Sequence, residues 1–203
     1  MNPALQQLLS KEPGIWRGLR SESSTWRVVA SGFPELDALL PGGGWPLGAL
    51  MEILTPCLGV GELRILLPAM AALSLTGRWI AWVAPPHQPY APALVQAGIR
   101  LSQLLIVESR EASDIPWSLE KLLSSGGCGM ALAWPGRLSA HQTRRLQLAA
   151  EQGNALAALF PAQTCGSGHA ALRLEVRPTP EGLALNIVKA RGSLSRESLI
   201  LPI

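Results

Sequence analysis

Residues 51 to 68, MEILTPCLGVGELRILLP, place an apolar run, a glycine loop and a second apolar run in the order that ordinarily holds a nucleotide phosphate. Such a loop, GxxxxGK[ST], points consecutive backbone amides at the anion from a helix N-terminus, adds a lysine for the outer phosphates and supplies a hydroxyl for magnesium. Read in register, Thr55 stands at the first glycine, Val60 at the second, Gly61 at the lysine and Glu62 at the hydroxyl. Shifting the register to Gly59 or Gly61 does not help, because no Lys-Ser/Thr pair follows either one. A carboxylate at the mouth of an anion hole also repels a triphosphate. The other parts of phosphoryl-transfer chemistry, an acid that holds magnesium and a glutamate that polarises water, belong at the ends of later strands. There AWVA runs into Pro85-Pro86 and MALAW into Pro135. Thr55, Gly59, Gly61 and Glu62 therefore read as a vestigial phosphate loop in a non-enzyme, with no cofactor, no metal and no catalytic residue assigned.

The other reactive side chains are dispersed. His87, His141 and His169 have no second ligand at metal spacing, and Cys57, Cys128 and Cys165 form no CxxC or Cys/His pair, which fits reduced thiols in a cytoplasmic protein. Ser139-Ala-His141 lacks the nucleophile elbow and paired carboxylate of a triad. Arg137, Arg144, Arg145, Lys189 and Arg191 are candidates for a DNA-facing patch, against the simpler reading of a solvated helix face. Seven tryptophans stand against one tyrosine and two phenylalanines. Trp79, Trp82 and Trp134 fall within strand-like runs and read as core. Trp16, Trp26 and Trp45 lie outside them and can anchor a partner. Trp16, Arg17 and Trp26 on the N-terminal arm, and Leu199, Ile200 and Ile203 at the other end, are the candidate partner-binding residues; the latter segment could add a strand to a partner's sheet edge.

These residues need a frame, and the composition provides one. Of 203 residues, 48% are hydrophobic and 15% charged, enough for a substantial core and too few charges for a disordered polyelectrolyte. A net charge of +3 is small for a dedicated DNA-binding module. No uncharged apolar run reaches the roughly 18 residues of a membrane helix. Residues 1–27 read as an arm with a short helix and a linker at SESS, and 28–203 as one core domain. Within the core, strands are expected at 49–54, 79–84, 104–107, 129–134 and 155–160, alternating with helices at 63–75 (kinked at Pro68), 91–97, 116–123 and 139–152. That alternation gives a mostly parallel sheet flanked by helices. ALRLEV and LALNIVK then alternate in period two about 178–182 as an antiparallel hairpin.

The segment SGFPELDALLPGGGWPLGALMEI resembles the lead-in to the nucleotide loop of RecA-type recombinases, through Ser31, Gly32, Leu36, Asp37, Gly43, Gly44, Pro46, Gly48, Glu52 and Ile53. Residues 28–195 can be laid on that core, with Pro86 where a recombinase has its catalytic glutamate. The resemblance implies a RecA-like P-loop NTPase core with a degenerate nucleotide site. PGGGWPLGALMEIL followed by a lysine-less loop is most similar to the ImuA family of bacterial SOS mutagenesis cassettes, with a wider likeness to SulA, the SOS inhibitor of cell division. The ImuA resemblance implies a non-catalytic adaptor in translesion DNA synthesis. Its implied partners are ImuB (an inactive Y-family polymerase homologue), an error-prone C-family polymerase and RecA, with a homo-oligomer and weak direct DNA contact as further options. The SulA resemblance implies an alternative, action on FtsZ.

Overall fold

The computed structural model describes residues 27–109, 111–161, 169–191 and 197–202. Trp16, Arg17, Trp26 and Ile203, and with them nearly all of the proposed arm, lie outside these residues. A two-stranded antiparallel ribbon, β1 (Val28–Val29) with β2 (Trp45–Pro46), encloses the short helix α1 (Pro34–Leu39). The main sheet contains β3 (Ala49–Leu54), β4 (Trp79–Val83), β5 (Leu104–Val107), β6 (Cys128–Ala133), β7 (Leu156–Leu159), β8 (Leu172–Thr179), β9 (Gly182–Ala190) and β10 (Ser198–Leu201). Its order is β10-β9-β8-β3-β7-β6-β4-β5. All pairings from β8 to β5 are parallel, and β9 and β10 extend the sheet antiparallel.

A parallel sheet needs cover on both faces, and its central strands then read as continuous apolar runs. β3, β6 and β7 show this: CGMALA and LAAL are fully buried, and in ALMEIL only Leu54 is partly exposed. On one face, α1, α2 (Leu67–Leu75) and α3 (Ala91–Gln96) pack Leu36, Met70, Leu73 and Leu94 against Met51, Ile53, Ile80 and Met130. On the other, α4 (Asp114–Ser124) and α5 (Ala140–Gly153) bring Ile115, Leu119, Leu123 and Leu146 onto Leu50, Ala81, Val83 and Ala131. The small strand residues let these helices sit close. At Gly153 the approach is closest, since a Cβ there would lie 1.8 Å from the Leu123 carbonyl oxygen. α5 starts with a reciprocal Ser139/Gln142 capping box and stops at Asn154 in the left-handed region.

Several expectations change. The helix foreseen from residue 63 begins only at Leu67, so Pro68 occupies the first turn, where a missing N–H costs nothing, and kinks no helix interior. Trp45 is fully buried and thus no partner anchor, whereas Trp79, at the start of β4, is 42% exposed. Residues 198–201 pair with β9 of their own sheet, so Leu199 and Ile200 already take part in an internal ladder. The RecA-like P-loop NTPase core is also corrected. Residues 62–66 form successive turns between β3 and α2, so no helix N-terminus opens onto Gly59 and Gly61, and a phosphate cradle requires one.

Candidate functional site

Residues 55–66 leave the carboxyl end of β3, the edge where parallel α/β sheets ordinarily hold ligands. Gly59 and Gly61 both have positive φ, which gives the loop a tight fold that other residues adopt only under strain. That fold turns Glu62 inward. Its side chain is 4% exposed, and Oε1 accepts the Gly59 amide at 3.3 Å. An amide that would face a phosphate oxygen is taken by the chain's own carboxylate. The Arg64 amide donates to the Gly61 carbonyl at 2.9 Å and the Leu66 and Leu67 amides to the Leu63 carbonyl, so backbone donors on the way to α2 are used within the turns. Leu183 of β9 approaches Gly61 from the side, 3.5 Å from where a Cβ would stand.

The neighbouring strands finish in aromatic side chains. Trp82 on β4, Trp134 just after β6 and Phe160 just after β7 form a row of touching rings: Trp82 and Trp134 are tilted by 49° with centroids 5.6 Å apart, and Trp134 stacks on Phe160 at 4.9 Å. These residues join the α1/α2/α3 side of the core. Where phosphoryl transfer needs carboxylates, this edge has a hydrocarbon wall. Among the described residues no group of three or more His, Cys, Asp or Glu could hold a metal ion.

The candidate DNA-facing residues divide between two places. Arg144 and Arg145 are exposed on α5, with Arg145 bridged to Glu120 of α4 at 2.7 Å; Arg137 is exposed before the helix begins. Arg191 reaches the same helix through Glu151 at 3.8 Å. Lys189 instead lies opposite Arg173 in the β8–β9 ladder, half-buried, its pKa lowered first by burial and then by the charge of Arg173. Behind Arg173 stands the fully buried Glu52, whose Oε2 accepts from the Arg173 Nε at 2.7 Å and lies 2.7 Å from a terminal guanidinium nitrogen. Leu199 and Ile200 line a shallow groove with Glu175 and Arg177.

Two surface features were not singled out from the sequence. Trp117 on α4 is 62% exposed. The signal was present, because Ile115, Leu119 and Leu123 recur at four-residue spacing and Trp117 falls off that buried face. The second is the exposed apolar edge at β5, which depends on strand order and leaves no mark in local periodicity.

The fold and site together define a helix-covered, mixed-sheet protein whose glycine loop after β3 is closed by its own glutamate. Residues 58–157 match the family model of the cell division inhibitor SulA. The chain is 33% identical over 93 residues to the cell division inhibitor SulA of Photorhabdus laumondii, an alignment covering 46% of this chain and 52% of that protein. It is 28% identical over 173 residues to the protein ImuA of Caulobacter vibrioides, covering 76% of this chain and 70% of the relative. The crystal structure of SulA from Pseudomonas aeruginosa aligns with a TM-score of 0.46 at 22% identity, over 55% of this chain and 98% of that one. The chain spans about half the length of the SulA relatives it matches. It is an ImuA/SulA-related protein. The family match thus lies with SulA, which overturns the assignment to a RecA-like P-loop NTPase core. No helix among the described residues is long and apolar enough to cross a membrane.

Proposed function

We propose that this protein is a non-enzymatic accessory factor of SOS-induced translesion DNA synthesis, an adaptor that joins ImuB, an error-prone C-family polymerase and RecA. The observation that carries this reading is the Glu62 side chain folded onto the Gly59 amide, which leaves protein surface rather than chemistry to do the work. Similarity to an ImuA protein over 76% of the chain supports the choice of pathway. The test is co-purification of the protein with ImuB from damaged cells, together with damage-induced mutation frequency in a deletion strain. Loss of induced mutagenesis that the wild-type protein restores is expected. Unchanged mutagenesis, or ATP turnover above a mock preparation, contradicts the proposal.

A second reading, SulA-like inhibition of cell division through FtsZ, is favoured by the family match over residues 58–157. Overproduction then gives filamentous cells and the purified protein blocks FtsZ polymerisation, whereas the adaptor reading expects neither.

A further inference from the structure

Opposite residues of an antiparallel pair share a sheet face, and like charges placed in that way are unfavourable. Arg173 on β8 nevertheless stands opposite Lys189 on β9. The register creates this pairing. Between Lys189 and Ile187 the ladder skips Val188, so one extra residue on β9 shifts the alternation of its side chains. Without it Lys189 would share the face of Ile187, which lies in the apolar core with Leu174. The bulge turns Lys189 to the other face, the one α5 covers further along the sheet, and Ala190 takes the core position instead.

Arg191 reaches the same side through its 3.8 Å contact with Glu151 of α5, so three cations gather where β8 and β9 meet that helix. The carboxylates beside them are already engaged. Glu52 is fully buried and holds Arg173 at 2.7 Å, Glu151 is shared with Arg191, and Glu175, one position further along that face of β8, lies 3.7 Å from Arg177. Burial and the charge of Arg173 disfavour the ammonium form of Lys189, and an anion is the group that relieves this crowding. It has access, because Lys189 and Arg173 are partly exposed and Arg191 is exposed. The exposed Arg144 extends the line, about two helical turns before Glu151 on the same side of α5. An ammonium and guanidinium groups brought together suit a phosphate, whose oxygens accept from both kinds of donor at once.

We infer that the seam between α5 and the β8–β9 ladder is a phosphate-binding site, with Lys189 and Arg191 donating to the anion, Arg173 fixed behind them by Glu52, and Arg144 placed for a further phosphate when the group belongs to a nucleic-acid strand. The site uses three of the basic residues that the sequence offered and leaves out Arg145, which is turned to Glu120 of α4. It stands independently of the adaptor reading, since an anion seam needs none of the partners named there.

The lysines of the full chain are Lys11, Lys121 and Lys189, so isotope-labelled methylation of the amines gives few nuclear magnetic resonance signals, and the one missing from Lys189→Arg identifies Lys189. Inorganic phosphate, compared with chloride at equal ionic strength, is expected to raise the titration midpoint of that signal toward the ordinary 10.5, because an adjacent anion favours the charged form. Fluorescence anisotropy with labelled oligothymidylate is the second arm. Lys189→Gln combined with Arg191→Gln is expected to weaken binding about tenfold or more and to lower the log–log salt slope by about 1.4, or about 0.7 for each lost phosphate contact, whereas Arg145→Gln changes neither. Wild-type affinity for the strand well above that for free phosphate assigns the site to nucleic acid, and equal affinity assigns it to phosphate alone. The titration needs only the wild type and the conservative Lys189→Arg, so it decides the matter even if the double variant fails to fold. A Lys189 signal that phosphate moves no more than chloride does, or a folded double variant that binds both ligands like the wild type, overturns the inference.

Discussion

Replacing Arg173 with Met tests how β8 is held to the centre of the sheet. Glu52 on β3 is fully buried, Oε2 receives both contacts from Arg173, and Oε1 has no hydrogen-bond partner among the described residues. Removing the guanidinium leaves a carboxylate inside the protein with neither water nor its ion partner. Breaking a buried pair from one side costs about 3–5 kcal/mol. Lys189 is the next cation that senses Glu52, and it also loses the repulsion of Arg173, so it can turn toward the carboxylate. The single variant should therefore fall near ~3 kcal/mol, and Arg173→Met with Lys189→Met nearer ~5 kcal/mol. Against a total stability of about 5–15 kcal/mol either loss is plain in urea denaturation, as a midpoint lowered by about 1 M or more at unchanged slope. Replacing both partners, Glu52→Leu with Arg173→Met, should recover most of the loss, because a buried pair exchanged for apolar groups is often neutral. A cost below ~1 kcal/mol for the single variant, or a paired replacement as unstable as Arg173→Met alone, refutes the reasoning.

Other expectations concern the loop and the titrating groups. Gly61→Lys with Glu62→Thr should yield no ATPase in a phosphate-release assay, because the strand ends beside the loop carry Trp82, Trp134 and Phe160 and no carboxylate cluster, and no stabilisation by millimolar ATP and magnesium, where a ligand at a hundred times its dissociation constant would add ~2.7 kcal/mol. Cys57 is exposed, whereas burial raises the Cys128 pKa to about 11; in a Cys165→Ser background, a thiol reagent at pH 8 should titrate one cysteine in the native state and two after unfolding. Lys189 has a folded pKa below its ordinary 10.5, so the unfolded chain binds more protons between the two values and stability rises with pH across that window. Lys189→Gln should flatten the rise, as measured by denaturant unfolding from pH 7 to 10.

What the sequence shows of this fold is mostly local. The apolar runs at β3, β6 and β7 and the period-two hairpin are legible because burial on one or both faces is written in the order of side chains. Pro68 is ambiguous because a proline in an apolar run looks the same in a helix interior as in a first turn; the five residues of turn that precede the helix decide. Pairings at long range leave weaker traces. Glu52 and Arg173 are 121 positions apart, and the contact of Trp82, Trp134 and Phe160 needs three strand ends to come side by side. The loss of the lysine and hydroxyl could be read at Gly61 and Glu62, but the return of Glu62 to the Gly59 amide depends on the backbone path.

The position of β3 has a consequence for how the protein is made. This strand is finished by residue 54, yet its two sheet neighbours begin at Leu156 and Leu172, about a hundred residues later. On the ribosome, at about 5–20 residues per second, β3 waits for several seconds with both sides unmatched while β4, β5 and β6 can already assemble. Closing the sheet then requires late strands to enter on either side of an early one, a high-contact-order step that places refolding at the slow end for a domain of this size. Newly made protein is most exposed to aggregation during that interval, and a chaperone that shields ALMEIL would act before any partner can.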